Sequence, residues 1–166
     1  VLALQAEIAS DIARQVRVEI ARQQEPPLPF RTVHPQAYSE YLKGRYAWNQ
    51  RSEAGLQEGI GHFQRAIQLD PEFAAAYSGL ADSWTTLGYL SYRAPVETFP
   101  LAKAAAERAL QLDRSLAEPH ASLGYYYLYY EWNWTEAENE FQRAIALDPN
   151  YATGRHWYSV YLTAVG

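Results

Sequence analysis

The feature that most constrains the fold is a nine-residue stretch that the chain contains more than once. Residues 63–71 read FQRAIQLDP, residues 141–149 read FQRAIALDP, and residues 106–114, AERALQLDR, form a weaker third copy. The first two copies end in Asp-Pro, and proline stops a helix because it lacks a backbone donor and disfavours the helical conformation in the residue before it. A helical end that is used three times predicts a stack of similar units.

Outside the repeated stretch, apolar residues recur at helical spacing. They predict further helices, which follow one another as pairs along the chain. The predicted helices cover residues 37–51, 54–69, 74–88, 100–112, 117–130, 135–147 and 152–165. An irregular insert over residues 89–95 precedes the fourth of these helices, and either Pro95 or Pro100 suits its first turn. The tyrosines of residues 125–130 have high strand propensity, but the helical spacing around them argues against a strand. The sequence therefore predicts an all-α stack of antiparallel helix pairs.

An additional amphipathic helix is predicted for residues 1–24, which contain neither glycine nor proline. Its apolar residues recur every four positions, at Leu4, Ile8, Ile12, Val16 and Ile20. This stripe needs a cover, which is either the first unit of the stack or else another chain or an upstream domain. Residues 25–36 contain four prolines and are predicted to be a linker with some polyproline character.

Composition excludes several classes of protein. Apolar residues make up 48% and charged residues 20%, which excludes a disordered tail. The net charge is −5 and no Lys/Arg cluster is present, so we expect no nucleic acid to bind through this region. The absence of cysteine excludes disulfides and thiolate metal sites, and no apolar run has the ~18 residues that span a bilayer. The chain opens at Val1 and has no methionine, so we expect it to be either a fragment of a longer protein or a processed product.

The paired helices carry a recurrent pattern of small and large residues. In the third unit the pattern runs through His120, Leu123, Gly124, Tyr127, Ala137, Phe141, Ala144 and Pro149, and in the second through Tyr77, Leu80, Ala81, Trp84, Ala102, Ala106, Ala109 and Arg114. This arrangement resembles the tetratricopeptide repeat, a helix-turn-helix of about 34 residues. The resemblance implies a right-handed superhelical solenoid of about three and a half repeats, at about 37–73, 74–116, 117–151 and 152–166.

A narrower likeness concerns the runs YLKGRYAWNQR and FQRAIQLDPEFAAAYSGLAD. They look like the repeat region of multidomain bacterial signalling proteins, in which repeats follow a winged-helix regulator, a nucleotide cyclase or a Ser/Thr kinase domain. A TolB-like segment often lies between, and the run Leu4-Gln5-x-x-Ile8-Ala9 resembles its ending. This likeness implies that the chain is the sensing or docking arm of such a protein.

Candidate binding residues follow from the same resemblance, because the first helices of these repeats line a concave groove. The matching positions are Ser78, Asp82, Thr85, Tyr125, Leu128, Tyr129, His156 and Trp157. In the chaperone-tail variant of the family, Lys and Asn grip a terminal carboxylate where this chain has Ser78 and Asp82, so that specificity is not expected. What remains is an aromatic, weakly acidic groove that suits a peptide with apolar side chains or a small cationic ligand.

Several of these residues have a purely structural alternative. The tyrosines of residues 125–130 either line the groove or cover the core between units. Trp132 and Trp134 either pack on the next unit or contact a ligand, and Arg93 is either a rim contact or a solvated loop residue. His120 stands at a position that is usually apolar and is expected to be packed and neutral.

Catalysis is not expected from these residues. The four histidines are scattered without the spacing of a metal site, and there is no glycine-rich phosphate loop or nucleophile motif. We expect no cofactor and no metal.

The leading hypothesis is a non-catalytic scaffold that binds a peptide or a partner domain in its groove. The alternative is a regulatory arm that senses a small molecule. A homodimer through residues 157–165 or through the N-terminal helix is also possible, since residues 157–165 look apolar on more than one face.

Overall fold

The structure, a computed structural model, describes residues 32–166. The helix predicted for residues 1–24 and most of the linker predicted for residues 25–36 lie outside this range. Within it the chain forms seven α-helices and no strand. The helices are α1 (Pro35–Asn49), α2 (Glu53–Leu69), α3 (Ala74–Tyr89), α4 (Pro95–Leu112), α5 (Glu118–Tyr126), α6 (Trp134–Leu147) and α7 (Ala152–Val165). A π-helical turn, Tyr127–Glu131, continues α5. The predicted all-α fold is confirmed for the described residues.

Two helices begin two or more residues earlier than predicted, and each of these begins at a proline. Helix α1 begins at Pro35, inside the predicted linker, and α4 begins at Pro95 rather than near Pro100. Proline suits a first helical turn because its missing N–H has no partner within the helix there. Pro100 lies inside α4 instead, so the irregular insert is shorter than predicted.

The repeated aspartates have the same local role in all three copies of the stretch. Asp70, Asp113 and Asp148 each follow the last residue of a second helix. The carboxylate oxygen of each accepts a hydrogen bond from the backbone N–H two residues on, at 3.3, 2.9 and 2.8 Å respectively. This turn favours the end of the helix, because the side chain satisfies a backbone N–H that lies outside the helix.

Phenylalanines of the repeated stretch fill the space between helices of a unit. Phe63 is fully buried, and a Cβ built on Gly44 would lie 2.7 Å from its ring. The same ring also lies against Gly79 of the next unit. Phe141 repeats the arrangement against Gly124, where a Cβ would lie 2.6 Å from the ring. Glycine at these positions lets the aromatic ring touch the helix backbone.

The first helices of the units form an inner layer. Helix α1 contacts α3, α3 contacts α5, and α5 contacts α7, while α2, α4 and α6 each pack between two successive first helices. The outward surface of the layer formed by α1, α3, α5 and α7 is called the groove face below. None of the described helices is long and apolar enough to cross a membrane.

Candidate binding groove

A buried polar network ties three helices of the groove face together. The Arg45 guanidinium on α1 donates to the Asp82 carboxylate on α3 at 2.8 Å, and Ser122 Oγ on α5 donates to the same carboxylate at 2.9 Å. Asp82 is completely buried, and this burial raises its pKa to about 6, against the opposing effect of Arg45. The network fixes α1, α3 and α5 relative to one another.

A further buried polar group lies at the start of the last helix, the hydroxyl of Tyr151. Tyr151 precedes α7, and its pKa lies well above the ordinary value, first because of burial and then because of the negative charges of Asp82 and Glu118. The Tyr151 hydroxyl is buried and has no hydrogen-bond partner within residues 32–166. Asp82 and Ser122 are also buried, so none of these polar groups is open to a ligand.

Near these buried groups lies a cavity of about 410 Å³. Its walls come from the ends of α1 and α3 and the beginning of α7: Arg51, Thr86, Tyr89, Leu90, Ala152, Thr153, His156 and Trp157. It combines an apolar wall with hydroxyl, imidazole and guanidinium groups. Such a mixture suits a ligand that has both an apolar part and hydrogen-bonding atoms.

Arg51 is the cation of this cavity. Its guanidinium lies over the indole of Trp48, 3.6 Å from the ring centroid. Its backbone has a φ of +54°, and its carbonyl accepts a hydrogen bond from the Tyr92 hydroxyl at 3.3 Å. Within the part of the chain that the structure describes, the guanidinium has no ion-pair partner. It is thus held in place with hydrogen-bond donors still available.

The structure divides the predicted groove residues between core and surface. Ser78, Asp82, Thr85, Tyr125, Leu128 and Trp157 are buried, Tyr129 is half-buried and His156 is exposed. Only His156 and Trp157 are among the residues that line the cavity. Tyr125 and Tyr129 pack instead against Tyr89, with ring centroids 5.0 and 5.4 Å away. Two tyrosines of the run, Tyr125 and Tyr129, therefore lie behind the cavity wall, while Tyr130 packs on Phe99.

The predicted acidic character of the groove also needs correction. Asp82, the predicted acid, is buried against Arg45 and is not open to a ligand. The charge that borders the cavity is the positive charge of Arg51. A cationic ligand is therefore disfavoured there, and an acceptor is favoured.

Sequence reasoning missed Arg45, Trp48, Arg51 and Tyr89. Two signals could have found three of them. The predicted series Ser78, Asp82, Thr85 reaches Tyr89 one turn later. The same repeat positions on α1, which the prediction did not map, are Tyr41, Arg45 and Trp48.

The remaining candidates lie elsewhere on the surface or in the core. Trp132 and Trp134 are exposed neighbours with ring centroids 6.3 Å apart, and Arg93 forms a surface ion pair with Glu53 at 3.4 Å. His120 is buried, and its Nδ1 lies 2.6 Å from a carboxylate oxygen of Glu140. Among the described residues, no group of three or more His, Asp or Glu side chains is arranged to hold a metal ion.

Comparison with known proteins identifies the fold. No protein-family model matches the sequence, and no curated protein matches it. The TPR domain of Arabidopsis OM64 superposes with a TM-score of 0.60 at 17% identity, covering 78% of this chain and 96% of that chain. The TPR2B domain of yeast Sti1, in its pHsp70 complex, superposes with a TM-score of 0.58 at 19% identity, covering 78% and 96%.

A third solved structure is an O-GlcNAc transferase of Thermobaculum terrenum. It superposes with a TM-score of 0.61 at 20% identity, and the match covers 76% of this chain but 22% of that chain. The similarity is thus limited to a part of that enzyme. Together these structures show that the described residues have the tetratricopeptide-repeat fold, as the sequence resemblance implied.

Proposed function

We propose that this chain is a non-catalytic protein-interaction scaffold that binds a peptide, or an extended segment of a partner protein, on the groove face. The observation that carries the proposal is the cavity beside Arg51. Tyr89 and Leu90 offer apolar surface for a side chain, and Arg51 offers donors for a backbone carbonyl or an acidic side chain. Aromatic and arginine side chains of this kind dominate the energetics of many protein interfaces.

Proteins with the same fold support peptide binding as the mode. The first TPR of Spaghetti (RPAP3) is bound to the HSP90 peptide SRMEEVD, and it superposes with a TM-score of 0.57 at 18% identity over 78% of this chain. In our proposal the peptide that this chain binds is not held by its terminal carboxylate. Ser78 and Asp82 replace the Lys and Asn that grip a terminal carboxylate in the chaperone-tail variant, and both are buried.

The experiment is selection of peptides from a random display library, followed by fluorescence polarisation with the enriched peptides. Arg51→Gln and His156→Ala change two residues of the cavity wall, neither of which is in the core. Loss of a hydrogen bond to a charged group predicts weakening by roughly tenfold or more for Arg51→Gln. Arg155→Gln is the matched control, since Arg155 is exposed on α7 and does not line the cavity. Enriched peptides that bind Arg51→Gln and the unmodified protein equally would contradict the proposed site.

A second candidate is a regulatory arm that binds a small molecule in the same cavity, as in bacterial multidomain signalling proteins. The volume of about 410 Å³ favours it, since small-molecule sites commonly enclose about 300–1,000 Å³. Native mass spectrometry of gently purified protein separates the two. A retained small molecule that is lost in Arg51→Gln supports the sensor, and a bare protein with enriched peptides supports the scaffold.

A further inference from the structure

The first and third units contain the same His–Glu pair with its members exchanged between the two helices. In the first unit Glu40 lies on α1 and His62 on α2, with Nδ1 and the carboxylate oxygen 2.7 Å apart. In the third unit His120 lies on α5 and Glu140 on α6, 2.6 Å apart. The two pairs occupy equivalent repeat positions, four residues before Gly44 or Gly124 and one residue before the buried phenylalanine.

Because of this exchange, the arginine of the third unit has no carboxylate at the position that Glu40 occupies in the first unit. The second helices carry arginine at the same repeat position, at Arg65, Arg108 and Arg143. Arg65 donates to Glu40 at 3.0 Å, and Arg108 has a hydrogen bond and a cation–π contact within its own unit. Arg143 has no such partner among the residues that the structure describes, because His120 stands where the first unit has Glu40.

Arg143 and His120 both line a cavity of about 630 Å³ between α4 and α6. Arg114 forms part of its wall and also lacks a partner within the described range. Since the Glu140 carboxylate can only accept, Nδ1 of His120 donates to it, and Nε2 has no other partner in residues 32–166. Arg114 and Arg143 therefore border one space with two groups able to donate hydrogen bonds.

The rest of the wall is mixed, with two leucines, Gln111 and Glu107. Leu110 and Leu147 supply aliphatic surface, and Leu147 is 41% exposed. The one carboxylate that lines the cavity belongs to Glu107, which has the Lys103 ammonium 4.0 Å away. Two arginines and one glutamate are the charged residues that line the cavity, and the Glu140 carboxylate lies next to His120.

We propose that this cavity is a binding site for a small molecule that carries a carboxylate or phosphate group on an apolar body. Arg114 and Arg143 present planar guanidinium groups that match the geometry of such anions. Leu110 and Leu147 contact the apolar body. The site is formed by α4, α6 and the beginning of α5, so it is separate from the cavity beside Arg51 and its failure leaves the proposed scaffold untouched.

Titration with phenyl phosphate and with benzoate, followed by ¹H–¹⁵N NMR of the whole chain, tests the site. Benzyl alcohol is the neutral control of similar size. We expect saturable shifts from at least one anion around Arg114, His120 and Arg143, and none from the alcohol. Arg143→Gln and Arg114→Gln should each weaken binding by roughly tenfold or more. Arg108→Gln, at the same repeat position but outside the cavity, should bind as the unmodified protein does.

The relative affinities identify the anionic group of the ligand. Tighter binding of phenyl phosphate indicates a phosphate, and tighter binding of benzoate indicates a carboxylate. Both arginines are exposed, so neither substitution disturbs the core, and circular dichroism verifies folding of each variant. Three results would overturn the proposal: no saturation by either anion up to ~10 mM, equal binding by benzyl alcohol, or unchanged affinity in both Arg143→Gln and Arg114→Gln.

Discussion

Arg45 and Asp82 form a 2.8 Å ion pair in which the carboxylate is completely buried, although 37 residues separate them in the chain. Only a quarter of the Arg45 side chain is exposed. A buried pair costs both partners their hydration, so such a pair does not by itself show that the fold gains stability. What it does provide is a defined register between α1 and α3, which Ser122 extends to α5.

The raised pKa of Asp82 makes stability depend on pH in a predictable direction. The folded pKa is about 6 and the ordinary value is 3.8, so the folded protein holds the proton more tightly between these values. This contribution is complete below about pH 4 and is lost as the pH rises through about 6. It amounts to roughly 3 kcal/mol of unfolding free energy. Urea denaturation between about pH 4 and pH 7 measures it.

Asp82→Asn is the control for this titration, because the amide does not titrate. Glu40 acts in the opposite sense, since hydrogen bonds from Lys43, His62 and Arg65 lower its pKa to about 2. Its contribution is present above about pH 4.5 and is lost as the pH falls through about 2. The contribution of Glu40 is the same in both proteins. It therefore cancels when the unfolding free energies of Asp82→Asn are subtracted, pH by pH, from those of the unmodified protein. A difference curve that is flat between pH 4 and 6 would contradict the assignment to Asp82.

Breaking the pair from the arginine side should be costly. Arg45→Met leaves the Asp82 carboxylate buried without its cation and is expected to lower the unfolding free energy by about 3 kcal/mol at neutral pH. The double variant Arg45→Met, Asp82→Leu removes both charges and should recover most of that loss. Chemical denaturation of the two variants measures the difference. If the double variant is as unstable as the single one, the pair is not an isolated electrostatic unit.

Gly79→Ala should destabilise the stack where two units meet. A methyl group at this position enters the space that the Phe63 ring occupies, and overpacking of this kind costs about 1–3 kcal/mol. Gly61→Ala on α2 is the matched control, since its Cβ would meet only the Arg65 guanidinium, at 3.7 Å. That variant should gain about 0.5–1 kcal/mol from helix propensity. A melting temperature of Gly79→Ala that lies above that of Gly61→Ala would contradict the packing argument.

The homodimer through residues 157–165 stays a prediction. Leu162 and Val165 on α7 are 47% and 46% exposed, which leaves apolar surface at the end of the described array. If this surface pairs with a second copy, Leu162→Glu should shift the mass from dimer to monomer in light scattering at high protein concentration. A strictly monomeric unmodified protein would remove the dimer.

Local signals predicted most of the helices correctly, and the exceptions have identifiable causes. Asp-Pro at residues 70–71 and 148–149 marks the ends of α2 and α6, because both residues act on their own backbone. Pro95 and Pro100 are equally acceptable in a first turn, so sequence could not choose between them. Helix α4 begins at Pro95, which makes the fully packed Phe99 part of the helix.

The candidate site was harder to predict than the fold. The repeat pattern predicted His156 and Trp157 in the groove, and both residues line the cavity. It could not show that Tyr125 packs behind Tyr89, because both faces of a tyrosine-rich helix look alike in sequence. Nor could it pair Asp82 with Arg45, since that contact depends on how two units stack.

Periodicity and turn chemistry act over a few residues, and they were enough to specify the helices, their pairing and the all-α class. The stacking of the units decided everything else. It buried Asp82 beside Arg45, brought Arg51 and Trp157 to one cavity, and brought Arg143 and His120 to another. Each of these relationships brings together residues that lie on different helices or on the turns that join them. Their energies depend on burial and on neighbours that only the assembled solenoid brings together.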